Sequence, residues 1–195
     1  MQSKPGKERW LDISTLPGEE GREDEQAGWQ EYAGKLFHNV SILDVGAGLG
    51  KSRERLSVNG NIVTLQDVAP GLPVDITNPI EKIPENSYDL VTAFDVIEHV
   101  VEDVNFLGQL CRIAKRAVFV STPNFNVSRA LNQRHVREYT PVELTALAYS
   151  MNFGRVGHFI GYADGSSARE VSQDRFAREG FDRFLHQAVL LERFR

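Results

Sequence analysis

The run Ile42-Leu43-Asp44-Val45-Gly46-Ala47-Gly48-Leu49-Gly50 constrains what this chain can become more than any other stretch. Its first half is apolar apart from Asp44, its second half carries glycine at alternate positions, and a polar, helix-like segment follows at 51–56. That pattern is a buried strand entering a tight turn and then a helix. Glycine in such a turn permits positive φ, or close approach of the backbone to a ligand. Asp44 puts a carboxylate inside an apolar strand, so it must be paired or must meet a cation.

The remainder of the chain supplies elements of the same kind. The helix after the turn meets a stop signal at Asn59-Gly60. Strands are expected at 61–66, 74–76, 88–94, 117–121, 155–161 and 184–191. Residues 68–73, with Pro70, Gly71 and Pro73, leave no room for a crossover helix between the second and third strands. Helical spacing marks 26–37, with Trp29, Tyr32, Ala33 and Leu36, and 102–114, with Val104, Leu107, Leu110 and Ile113 as its buried stripe. A further helix opens at Thr140-Pro141-Val142-Glu143, where Thr140 fits the N-cap and Glu143 the reciprocal carboxylate. Near-continuous apolar strands alternating with helices make an α/β fold, a parallel sheet covered on both faces. Residues 1–25, rich in Gly, Pro and acids, read as an arm that Trp10, Leu11 and Ile13 would anchor. The division is therefore an N-terminal arm and helix over 1–40 and the main domain over 41–195. The long connection 164–183 is expected to hold a short helix near 171–178.

A chain of 195 residues with a net charge of −5 has no general attraction to nucleic acid or to a membrane surface. The single cysteine, Cys111, excludes an internal disulfide framework, and no segment reads as a membrane span or a signal-peptide core. These features lead to the expectation of a cytoplasmic protein.

An open parallel sheet binds its ligand outside the carboxyl ends of its strands. Collected there are Gly46, Ala47, Gly48 and Gly50 after the first strand and Asp67 after the second, placed to accept from ribose hydroxyls. Asp75 stands at the third, Asp95-Val96-Ile97-Glu98-His99 after the fourth, and Thr122-Pro123-Asn124 after the fifth. Together they describe a site for an adenosine-containing ligand. The glycine run, the stretch from Tyr88-Asp89-Leu90-Val91 to Asp95-Val96-Ile97-Glu98-His99-Val100, and residues 118–124 resemble class I S-adenosylmethionine-dependent methyltransferases. The resemblance implies a Rossmann-like seven-stranded mixed sheet in the order 3-2-1-4-5-7-6, with the last strand antiparallel. It implies S-adenosyl-L-methionine as cofactor, with Asp44 and Gly46, Ala47 and Gly48 at the methionine end. Asp67 would serve the ribose, Asp75 the adenine and the Phe94 carbonyl the methionine amine, with Gly50, Val68 and Ile76 also among the cofactor-binding residues. A nicotinamide-dependent dehydrogenase is the rival on this architecture. It wants Gly-x-Gly-x-x-Gly to seat a pyrophosphate on the helix N-terminus, and here the third glycine comes one residue early. A silent cofactor-binding protein is the other alternative.

Methyl transfer needs an aligned nucleophile and, for a hydroxyl, a proton acceptor. His99 and His135 are the candidate bases and Glu98 their partner. If the chain is helical after Phe94, Asp95, Glu98 and His99 share one face at i, i+3 and i+4, and with His135 they leave a divalent metal open. The pattern resembles ubiquinone-biosynthesis O-methyltransferases and small-RNA terminal 2′-O-methyltransferases, although those carry glutamate where Asp95 stands. Six Lys/Arg and no acid fall between Val104 and Arg137, yet no RNA-binding module or aromatic platform accompanies them. The expected acceptor is thus an oxygen of a small metabolite or glycan. An RNA 2′-O-methyltransferase-like enzyme is the alternative.

Overall fold

The computed structural model describes residues 22–130, 132–161, 169–171 and 186–194. In chain order the elements are α1 (Arg22–Leu36), β1 (Ser41–Val45), α2 (Ser52–Leu56), β2 (Ile62–Gln66), β3 (Tyr88–Phe94), α3 (Asp103–Ile113), β4 (Ala114–Pro123), α4 (Phe125–Ser128), α5 (Pro141–Ser150), β5 (Arg155–Gly161), β6 (Arg169–Val171) and β7 (His186–Glu192). Successive strand residues point to opposite faces, which gives the sheet two cores. Leu43 and Val45 of β1 pack with Leu107 and Leu110 of α3 and Leu144 and Ala148 of α5. Ile42 packs on the other side with Trp29 and Ala33 of α1 and Leu56 of α2.

The sheet order is β2-β1-β3-β4-β7-β5-β6. Strands β2, β1, β3 and β4 run parallel, with Leu43 opposite Thr64 and Val91. β7 inserts antiparallel between β4 and β5. The expected antiparallel last strand is therefore present, while the expected order needs one correction. Residues 74–76 form no strand. They reduce to a single parallel bridge between Gln66 and Ile76, because the segment before them contains Pro70, Pro73 and Gly71 at φ 81° and offers too few N–H groups in extended geometry for a ladder. The seventh strand is instead β6, which pairs antiparallel with β5 at the opposite edge.

The capping box of α5 is formed as expected: Glu143 N donates to Thr140 Oγ1 at 3.3 Å and Thr140 N donates to Glu143 Oε2 at 2.9 Å. In α3 the buried stripe is rotated from the expected one. Phe106, Leu107, Leu110, Cys111 and Ile113 are buried, and Val104 is exposed. The cause is Asp103, which accepts from Tyr139 Oη at 2.6 Å and from Arg137 at 3.0 Å and so turns Val104 outward. Burial pushes the Cys111 thiol up to about 12, leaving it an unreactive core group. The arm over 1–21, with Trp10, Leu11 and Ile13, lies outside the described residues. So does the connection 164–183 apart from β6, including the helix expected near 171–178. Among the described residues no helix is long and apolar enough to cross a membrane.

Candidate functional site

The carboxyl ends of β1, β2 and β3 lie side by side, so the residues expected to hold a nucleoside gather there. In the glycine turn, Gly46 N and Ala47 N donate to Gln66 O at 2.8 and 3.0 Å, and Gly50 N donates to Ala47 O at 2.9 Å. Gly48 N donates to Asp67 Oδ2 at 3.0 Å, which draws the acid after β2 against the turn after β1. Asp67 Oδ1 accepts from Ala69 N at 2.9 Å, beyond half-buried Val68. Gly46 has φ +71°, and a Cβ there would lie 2.6 Å from Val96 Cγ2. Gly48 has φ +52° and nothing within 4 Å of its missing Cβ, so this part of the turn borders open space. Asp44 is buried; its Oδ2 accepts from Ser52 Oγ, and its Oδ1 accepts from Thr92 Oγ1 at 2.7 Å. Burial raises its carboxyl to about 6, the two hydroxyls oppose the rise, and the charge of Asp67 adds to it. Phe94 closes β3 and is buried. At the β2 edge, Asp75 Oδ2 accepts from Leu65 N and from Arg53, both at 2.7 Å. The Leu65 bond first, then Arg53, hold its carboxyl below the usual range. Ile76 N donates to Leu65 O at 3.0 Å. The carboxylate expected to meet adenine is thus engaged with protein groups.

Beyond β3 the chain does not continue as a helix. Asp95 takes the left-handed conformation, φ 54°, and a 3-10 turn follows at Ile97–His99. Asp95 therefore does not share a face with Glu98 and His99, which corrects the expected four-residue set. Its carboxylate accepts from Ser121 Oγ at 3.0 Å and from Gln26 Nε2 of α1 at 3.2 Å, and lies 3.5 Å from His186 Nδ1 of β7. Burial opposes its charge, but His186 and the hydrogen bonds outweigh burial and hold it below the usual carboxylate range.

Glu98 is fully buried. Its Oε2 accepts from Thr122 Oγ1 at 3.0 Å, and its Oε1 has no hydrogen-bond partner among the described residues. Burial, and then the charge of Asp95, push its carboxyl well above the usual range. Its backbone oxygen accepts from Val136 N at 2.7 Å and Arg137 N at 3.2 Å, stitching the 3-10 turn to the segment carrying His135. His99 Nδ1 lies 3.2 Å from the Arg134 carbonyl. A carbonyl only accepts, so Nδ1 carries a proton. The His99 and His135 rings meet edge to face with centroids 4.9 Å apart. Glu98, His99 and His135 each offer an atom within 4.8 Å of the others. A carboxylate and two imidazoles form a donor set for a divalent cation, and the unpartnered Glu98 oxygen fits that use.

No family model matches the chain. Among curated proteins it is 34% identical over 119 residues to a ubiquinone biosynthesis O-methyltransferase of Bordetella parapertussis, covering 51% of this chain and 49% of that protein. It is 35% identical over 96 residues to a probable S-adenosylmethionine-dependent methyltransferase of Mycolicibacterium smegmatis, covering 46% and 37%. The chain thus spans half or less of the length of the curated relatives it matches. In fold it is similar to a possible histamine N-methyltransferase of Thermotoga maritima, with TM-score 0.64, 13% identity, and 89% and 91% of the two chains covered. It is also similar to a magnesium protoporphyrin IX methyltransferase of Synechocystis with bound S-adenosylmethionine, with TM-score 0.56, 15% identity, and 89% and 84% covered. The chain has the fold of S-adenosylmethionine-dependent methyltransferases, and over about half its length its sequence is similar to such enzymes. Within that methyltransferase frame, sequence reasoning missed several groups that shape the site. Val96, Gln26, Ser121 and His186 act across the fold, whereas Glu138 carried a local signal, its i+3 spacing from His135.

Proposed function

We propose that this chain is an S-adenosylmethionine-dependent methyltransferase that acts on an oxygen of a small metabolite or glycan. The observation that carries the reading is the placement of two unlike halves at the same end of one sheet. Asp67 bound to Gly48 N supplies a nucleoside cradle, and Glu98, His99 and His135 supply donors beside it. The acceptor C–O bond forms as the methyl–sulfonium bond breaks, and the hydroxyl proton leaves for a base. His99 or His135 is the proton acceptor, and Glu98 fixes the position of the turn that carries His99. The three side chains also suit a divalent cation, which when bound would acidify an acceptor hydroxyl. The ubiquinone O-methyltransferase relatives support oxygen as the target.

The dehydrogenase reading has less support. Pyrophosphate needs free N–H groups at a helix N-terminus. Here the N–H groups of Gly46, Ala47, Gly48 and Gly50 are all engaged, and α2 spans only five residues. A nucleic-acid acceptor is disfavoured by the net charge of −5.

Calorimetric titration tests the donor: S-adenosylmethionine is expected to bind and NADH to give no heat, and NADH binding alone would overturn the reading. A methyl-release assay with catechol, phenol and sugar acceptors tests turnover. Chelation followed by metal-free dialysis is expected to abolish it and Mn²⁺ or Mg²⁺ to restore it. Unchanged turnover after chelation removes the cation from the proposal and leaves the transfer.

A further inference from the structure

His135 is held more completely than a surface loop would require. Its Nδ1 is hydrogen-bonded to Glu138 Oε1, and both side chains are almost fully buried, 3% and 1% exposed. A carboxylate that is ionised only accepts, so Nδ1 donates and the lone pair belongs to Nε2. The other neighbour agrees. Asn132 Oδ1 accepts from Arg134 N at 3.1 Å, which orients the amide so that Asn132 Nδ2 faces His135 Nε2 at 2.9 Å. Glu138 is fixed from its other side as well. Its second oxygen accepts from Ser128 Oγ and from Ala130 N at 3.0 Å. Arg129 and Ala130 both adopt positive φ, 52° and 54°, a bend that costs roughly 1 kcal/mol per residue and needs such a clamp.

We propose that Glu138 is a positioning residue for the site. Its carboxylate fixes His135 as the Nδ1–H tautomer, so that Nε2 is the accepting nitrogen, met by Asn132 Nδ2 until a proton or cation takes its place, and it ties that ring to the bend after α4. The inference rests on the reading of Glu98, His99 and His135 as the reacting end of the site. A histidine that serves as ligand or base commonly has its other nitrogen fixed by a carboxylate, and loss of such a partner costs about 10–100-fold in ligand affinity.

The test is long-range ¹H–¹⁵N correlation of the imidazoles in the ¹⁵N-labelled full chain without added metal, with His135 assigned by its absence in His135→Asn. Wild type is expected to show the Nδ1–H tautomer, and Glu138→Gln a mixture or the Nε2–H form. Ser128→Ala, which removes a different bond to Glu138, is expected to leave the tautomer unchanged. An unchanged tautomer in Glu138→Gln overturns the proposal. Mn²⁺ titration is the second readout. Glu138→Gln is expected to weaken binding about tenfold, Glu138→Asp to recover part of it, and Glu138→Gln to have no further effect in the His135→Asn background. Equal weakening in both backgrounds would mean a role in folding alone and would also overturn the proposal. Should Glu138→Gln fail to fold, Glu138→Ala is read by the same spectrum: loss of the Nδ1–H tautomer supports the proposal, and its retention without the carboxylate overturns it. Because the tautomer is read without metal or methyl transfer, it remains decisive even if Mn²⁺ does not bind or no acceptor turns over.

Discussion

Gly46 and Gly48 stand two residues apart in one turn and are glycine for different reasons. Both have positive φ, but a side chain at Gly46 would meet Val96, whereas a side chain at Gly48 would project into open space beside the Asp67 carboxylate. Gly46→Ala is therefore expected to lose roughly 2–4 kcal/mol from backbone strain and overpacking together, read by urea denaturation. Gly48→Ala is expected to lose roughly 1 kcal/mol from strain alone. Its larger effect should appear in calorimetry, as about tenfold or weaker binding of S-adenosylhomocysteine. Wild-type affinity in Gly48→Ala would mean that the ligand does not pass this side of the turn. The spacing of these glycines was legible in the sequence. The partner that forbids a side chain at Gly46 was not, because Val96 comes from the segment after another strand and only the folded sheet brings them together.

At the scale of elements, α1 joins the sheet at two levels. Trp29 is buried against Phe119, with ring centroids 6.1 Å apart, and belongs to the core on that face. Gln26, near the start of the same helix, reaches Asp95 at the end of β3. The helix is thus both a cover for the sheet and a wall of the site. Trp29→Ala should cost about 3–5 kcal/mol of stability. Gln26→Ala should cost no more than about 1 kcal/mol, with a several-fold fall in kcat/KM for methyl transfer. Equal stability losses from the two, with turnover of Gln26→Ala unchanged, would leave α1 a packing element only. The helical spacing of Trp29, Tyr32, Ala33 and Leu36 made this element readable, but the contact of Gln26 has no local signature. The segment after β3 shows the same limit from the other side. A helical spacing argument placed Asp95 with Glu98 and His99, and the positive φ of Asp95 followed by a 3-10 turn separates them. Strand periodicity gave β1 to β5 and β7 because those strands are buried on one or both faces. Residues 74–76, with only one bridge, and β6, a three-residue edge strand, carry too few pairings for a pattern to reveal them.

For the whole molecule, the buried carboxylate in β1 links pH, stability and ligand. Folding raises Asp44 to about 6, so between roughly pH 4 and 6 the folded state holds a proton that the unfolded chain releases. Its contribution therefore falls as pH rises through that window and levels off above it, at a cost on the order of 3 kcal/mol. Asp75, Asp103 and Glu138 are shifted the opposite way, so their stabilisation is lost as pH falls, and the total profile mixes both signs. The difference between wild type and Asp44→Asn isolates the Asp44 part: the variant should gain in relative stability from pH 4 to 7 in denaturant titrations. A ligand ammonium near Asp44, bound directly or through water, would favour the ionised carboxylate and offset part of that cost only where the group is ionised. The rise in Tm with saturating S-adenosylhomocysteine should accordingly be larger at pH 8 than at pH 5 in wild type, and the same at both in Asp44→Asn. If the ligand-induced shift varies with pH equally in the two proteins, the cationic end of the ligand does not lie near β1, and the glycine turn holds some other part of the cofactor.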